Sequence, residues 1–252
     1  MEELKQCLLS LRLKGFAENL EQRVKEAING GISYTEFLQM LAEDEKARRT
    51  TNAFQLRLRS SGLQPGKTLG NYKFSLQPSI DQKQINQFAT CEFIKTKEKI
   101  ILIGQSGVGK THLANALGLK VIEKGYSVLR FNANDLAEQL LMAKREGGYQ
   151  EMASKILKAD FVIWDEFAIR PFPYGGLEEL FALLQKLDET TAVAFTSNRD
   201  FSDWQPFFAD NTIASAFIDR AVNKATIIKI VGNSFRLRNS ERQASETIIK
   251  LN

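Results

Sequence analysis

The chain has 252 residues, 43 % hydrophobic and 25 % charged, which suits one large domain with or without a smaller one. A formal net charge of +4 leans towards anionic partners. No apolar run reaches the 18 residues of a membrane span, so no membrane partner is expected. The opening MEELKQCLLSLRLKGF carries acids at once and charges throughout, unlike a secretory signal, so a cytoplasmic location is expected. Cys7 and Cys91 have no zinc spacing, and in a cytosolic chain both are expected to be core thiols rather than a disulfide.

Residues 1 to about 60 are expected to be helical. Leu4, Leu8, Leu11, Phe16 and Leu20 recur at roughly helical spacing, and NGGI (29–32) interrupts the pattern. Ser33 with Glu36 makes a capping box for the next helix, with Ile32 placed to staple onto Phe37. That helix should run through FLQMLAEDEKARR. From Lys46 to Ile80 the charge becomes one-signed, with Lys46, Arg48, Arg49, Arg57, Arg59, Lys67 and Lys73 and no acid. The turn residues of SGLQPGKTLGNYKF predict a linker there.

Beyond residue 81 helices alternate with apolar strands at 99–104, 126–132, 159–165, 191–197 and 226–231. Amphipathic stretches such as THLANALGLKVIEK and GGLEELFALLQKLDE separate them. This order predicts an α/β fold, a parallel sheet with helices on both faces, preceded by a small all-helical N-terminal domain. The expected domains are 1–65, a basic linker 66–80, and 81–252.

The motif G-x-x-x-x-G-K-[ST] is matched by Gly104, Gln105, Ser106, Gly107, Val108, Gly109, Lys110 and Thr111, after a strand and before a helix. Glycines let backbone N–H groups close on phosphate oxygens, the lysine reaches the terminal phosphates, and the threonine hydroxyl serves a magnesium ion. ATP and Mg2+ are the expected ligands. His112 follows directly and is expected to pack beside the loop as a neutral imidazole rather than act as a base. The strand FVIWDEF ends in Asp165, placed to hold magnesium, and Glu166, placed to polarise an attacking water. A further strand ends in TSN, where Asn198, with Thr196, can orient that water. Arg220, in IDR, and Arg236, in SFR, are candidates to stabilise charge on the transferring phosphoryl group.

Together, GKTHLANALG, the DE strand, TSNRDFSDW, IDR and GNSFRLR resemble the IstB-type ATP-binding proteins. These are AAA+ helper subunits of insertion-sequence transposition, related to the DnaC/DnaI helicase loaders. The resemblance covers nearly the whole chain, including LRLKGFAENLEQ and TLGNYKF. It implies that Gly104, Gly107, Gly109, Lys110 and Thr111 form Walker A, Asp165 and Glu166 Walker B, and Asn198 sensor 1. It also implies that Arg220 is an arginine finger serving the next subunit's ATP and Arg236 is sensor 2. The segment between NANDLAEQL and ASKIL would be the initiator clade's extra helix, with Lys144, Arg145 and Tyr149 as DNA contacts. The run DEFAIRPFPYGG departs from the family's DELGY-like wording beside the catalytic glutamate.

The one-signed basic run, interleaved with Phe54, Tyr72 and Phe74, reads as a phosphate-binding surface, with Lys46, Arg48, Arg49, Arg57 and Arg59 as candidate contacts to double-stranded DNA. No zinc finger or helix-turn-helix is evident, so strong base readout is not expected. Trp204, Phe207 and Phe208 are expected to serve the core or a subunit contact. The expected function is an ATPase that assembles into a homo-oligomer through ATP, binds DNA and recruits or activates an integrase-type transposase. The alternative is a helicase loader with the same core but a helicase-binding N-terminal domain. A small-molecule P-loop kinase would need an acceptor pocket and an arginine-bearing lid. A non-catalytic nucleotide switch is disfavoured by the Asp165–Glu166 pair.

Overall fold

The computed structural model describes residues 1–208 and 211–235. They divide into two units, with the boundary between Leu56 and Arg57.

The first unit holds α1 (Glu2–Ser10), α2 (Lys14–Gly30) and most of α3 (Tyr34–Ser61). The expected capping box is formed: the Ser33 N–H donates to Glu36 at 3.1 Å, and the Glu36 N–H donates to Ser33 Oγ at 3.3 Å. Between α1 and α2 the chain breaks at Leu11–Leu13, with Arg12 at φ +59°, although no glycine or proline marks the turn. The helix α2 meets α3 at Gly15, where an added Cβ would lie 2.7 Å from the Glu45 Cα. That approach lets the Gly15 N–H donate to the buried Glu45 carboxylate at 2.5 Å. Hydrogen bonding from Arg49 holds the Glu45 carboxyl below its ordinary range, and Arg23, bidentate at 2.8 Å, does the same for Asp44. No residue of α1 is fully buried. Cys7 is therefore exposed rather than a core thiol, whereas Cys91 is buried as expected.

The second unit contains α4 (Gln82–Phe88), α5 (Glu92–Thr96), β1 (Lys99–Gly104), α6 (Lys110–Glu123), β2 (Val128–Asn132), α7 (Ala133–Glu146), α8 (Tyr149–Leu157), β3 (Phe161–Asp165), α9 (Gly176–Leu187), β4 (Ala192–Ser197), α10 (Asn211–Val222) and β5 (Ala225–Ile230). All five strands lie where the apolar runs predict them. They form one parallel sheet in the order β2-β3-β4-β1-β5. The central strands β1, β3 and β4 are buried almost throughout, which is why they read as continuous apolar runs; the edge strands β2 and β5 carry Arg130 and Lys229. The connection after β1 runs to the β2 edge and the one after β4 runs the other way to β5, so a crevice opens beyond the carboxyl ends of these two neighbouring strands. Among the described residues no helix is long and apolar enough to cross a membrane.

Two features position the crevice. Residues 63–67 run along α6: Leu63 fills the notch at Gly118, and the Asn115 side chain bonds the Gln64 N–H and C=O (2.7 and 2.8 Å) and the Lys67 carbonyl (3.1 Å). Beneath β3 and β4 an aromatic cluster stacks Phe167 on Phe217 at 5.0 Å and sets Trp204 against Phe167 at 4.6 Å. Trp204 and Phe208 are buried in this core, as expected.

Candidate nucleotide-binding site

The loop after β1 turns back on itself at Gly107 (φ +83°) and Gly109 (φ +97°), conformations that L side chains resist. Space enforces the same choice. A Cβ on Gly107 would meet Ser234 Oγ at 2.1 Å, and one on Gly109 would meet the Tyr72 ring at 2.8 Å. Lys110 opens α6 and folds its ammonium into the loop, donating to the carbonyls of Gly104 and Gln105 at 2.7 and 2.8 Å. The cation thus lies inside the ring of backbone that a phosphate would enter.

The carboxyl ends of β3 and β4 bring the other groups alongside. Thr111 donates to Asp165 at 2.9 Å, and Thr196 Oγ1 donates to the same carboxylate oxygen. Thr196 Oγ1 also accepts from the Glu166 N–H at 3.0 Å. Glu166 sits at φ +60°, uncommon for a residue with a side chain, with its carboxylate exposed towards the crevice. A cavity of about 370 Å³ lies here, lined by Lys110, Thr111, Glu166, Thr196 and Asn198 on one side and by Tyr72, Leu76 and Phe235 on another.

Tyr72 was expected in a nucleic-acid-facing run, but it is buried. Its hydroxyl donates to the Val108 carbonyl at 3.2 Å, its ring meets His112 and Phe235 edge-on, and burial pushes its phenol well above the ordinary value. His112 packs beside the loop as expected, with Nε2 2.8 Å from the Thr68 carbonyl, which can only accept. The segment after β5 is tied in as well: the Phe235 N–H donates to Gly107 at 2.9 Å, and Gln77 donates to Asn233 at 2.9 Å. Arg236 lies outside the described residues.

Two residues of the site were not foreseen, and both come from β2. Arg130 forms an ion pair with Asp165, and Asn132 donates to Glu166 at 2.8 Å. Each carboxylate at the end of β3 therefore has a partner on the neighbouring strand. An arginine inside the apolar run SVLRFN was the signal available in the sequence. Asn132 also caps α7, accepting from the Asn134 N–H at 3.0 Å. Asn132→Ala is expected to cost about 1 kcal/mol of stability through the lost cap, read as a shift in denaturant midpoint.

Arg220 is not part of this cluster. It pairs at 3.5 Å with Asp188, which pairs with Lys99 at the amino end of β1. The phosphate loop leaves the other end of that strand, roughly 16 Å away at about 3.3 Å per residue. The geometry of a single chain therefore keeps Arg220 away from that chain's own loop.

The candidate DNA residues are placed variously. Arg48 and Arg49 pair with Glu18 and Glu45 at 2.9 and 2.6 Å. Lys46, Arg59 and Arg145 are exposed and Arg57 is half-buried. Lys144 pairs with Glu179, and Tyr149 packs against the core beneath Lys186.

The residues fit a nucleotide with its magnesium ion. The loop accepts no Cβ at its turns, a lysine lies at its centre, and Thr111 and Asp165 are hard oxygen donors held together as such an ion prefers.

The family of IstB-like ATP binding proteins matches residues 6–244. Among relatives, an ATP-binding protein of insertion sequence IS21 from Pseudomonas aeruginosa is 33 % identical over 242 residues, 96 % of this chain and 91 % of its own length. One of insertion sequence IS5376 from Geobacillus stearothermophilus is 32 % identical, covering 92 % of this chain and 93 % of its own. Among solved structures, DnaI superposes with a TM-score of 0.57 at 19 % identity, over 68 % of this chain and 96 % of that one, a likeness of fold alone.

Proposed function

The chain belongs to the IstB-like ATP binding protein family, and from that premise we propose that it is an ATPase of DNA transposition whose site is completed by a neighbouring copy. The observation that carries the reading is the division of the machinery. Lys110, Thr111, Glu166 and Asn198 line one cavity, with Asp165 bonded to Thr111 beside it, while Arg220 stands at the opposite end of β1.

In this reading the loop N–H groups and Lys110 hold the β- and γ-phosphates, and Gly104 to His112 form the wall of the phosphate site. Thr111 and Asp165 hold Mg2+, which when bound neutralises phosphate charge. Glu166 polarises a water oriented by Asn198. Glu166 takes a proton from the water, whose oxygen bonds the γ-phosphorus; the bond to the β–γ bridging oxygen breaks, and ADP leaves with that oxygen. Arg220 of the next copy stabilises the charge on the transferring group, and Arg236 is the second arginine of the site. ATP thereby joins subunits into a homo-oligomer. Lys46, Arg48, Arg49, Arg57, Arg59, Lys144 and Arg145 supply phosphate contacts to double-stranded DNA, and the loaded oligomer recruits or activates a transposase. The relatives at 32–33 % identity are named for insertion sequences, which favours this reading over a helicase loader.

In sedimentation with ATP and duplex DNA, a particle larger than one chain per duplex is expected, lost with ADP and weakened steeply by salt. A monomer under all conditions would contradict the proposal.

A further inference from the structure

Lys99 opens β1 and is only 2 % exposed. A buried ammonium needs a counter-charge and acceptors. It has both: an ion pair with Asp188, and a hydrogen bond from Nζ to the Asn223 carbonyl at 2.9 Å. Its backbone N–H donates to the Lys224 carbonyl at 3.3 Å. Asn223 and Lys224 form the turn directly after α10, so Lys99 pins the end of the helix that carries Arg220 in its last turn.

Asp188 caps the carboxyl end of α9, where the helix dipole disfavours a carboxylate. Nothing in α9 itself requires an acid there; the acid answers two cations. One carboxylate oxygen faces Lys99 and the other lies 3.5 Å from Arg220 Nη1. The Arg220 side chain remains 36 % exposed, so it is paired with Asp188 and still reachable from solvent.

We propose that Lys99 and Asp188 are positioning residues for Arg220, fixing its guanidinium so that it meets the nucleotide of a neighbouring copy in a set orientation. The proposal rests on the reading of Arg220 as acting across a subunit contact. An arginine side chain loses considerable rotamer freedom when ordered, and a carboxylate anchored by a buried lysine imposes that order before subunits meet. The cluster sits at the far end of β1 from the phosphate loop, so disturbing it leaves the chain's own nucleotide contacts intact.

The test uses full-length chains with ATP and duplex DNA. Asp188→Asn keeps the size of the side chain and removes its charge. Affinity for a fluorescent ATP analogue should stay within about twofold, while turnover falls roughly 10- to 100-fold, the scale of a misplaced catalytic group. Mixing this variant with Lys110→Ala chains, which carry an undisturbed Arg220, should restore turnover well above the sum of the two alone. A merely structural role for Asp188 would lower analogue affinity and would not be rescued by mixing. Should Asp188→Asn fail to fold with Lys99 left unpaired, Lys99→Met/Asp188→Leu removes both charges, and the same results are expected. Wild-type turnover in a folded variant, or no recovery on mixing, overturns the proposal. Arg220→Ala separates the two levels. If it loses turnover and recovers on mixing while the Asp188 variants do not, the positioning role alone is wrong. If it keeps wild-type turnover, the reading of Arg220 itself is wrong.

Discussion

Lys110→Ala is expected to weaken ATP binding at least about 100-fold, equivalent to about 3 kcal/mol for lost charge-assisted hydrogen bonds to phosphate. The expectation follows from where the ammonium lies. It is 6 % exposed and bonded to the Gly104 and Gln105 carbonyls, so it lies inside the loop. Gly107 and Gly109 adopt their positive φ, +83° and +97°, as glycines can without side-chain help. The variant should therefore keep its fold, seen as an unchanged circular dichroism spectrum, and lose the anion. Titration with a fluorescent ATP analogue measures the effect; wild-type affinity would mean that this loop does not hold the phosphates.

Glu166→Gln should produce the opposite separation. Glutamine has the size of glutamate and can still accept from Asn132, so the 2.8 Å contact and the loop that carries it persist. What it lacks is a carboxylate able to polarise water. Turnover is expected to fall roughly 10²- to 10⁴-fold, the span of general-base contributions, with ATP affinity nearly unchanged. Because ATP would join the subunits, the variant should accumulate as an ATP-bound oligomer on duplex DNA. Phosphate release and sedimentation on the same sample measure both halves, and hydrolysis at the wild-type rate would remove Glu166 from the catalytic role.

Much of this site could be read from local sequence because its parts are local. The phosphate loop is eight contiguous positions, and β1, β3 and β4 announce themselves because burial on both faces makes them apolar throughout. Features that depend on strand order were hidden. Arg130 and Asn132 find their carboxylate partners 35 and 34 positions away, and only the pairing of β2 with β3 brings them together. Lys99 looks like the solvated start of a strand; its burial comes from the turn after α10, 124 positions on. The break at Arg12 carries no glycine or proline and gave no local sign. Tyr72 sits among basic residues, and its composition hides its role as the ring that Gly109 must make room for. The glycine-rich loop was thus visible as a motif, whereas the residues that hold it in place were visible only in three dimensions.

A site shared between copies is most directly tested by mixing two inactive chains. On the proposed reading, Lys110→Ala would supply Arg220 without holding ATP, and Arg220→Ala would hold ATP without supplying the arginine. Each alone should hydrolyse ATP poorly with duplex DNA present. The equimolar mixture should recover turnover severalfold above their sum; a mixture no more active than its parts would contradict a site completed by the neighbouring subunit.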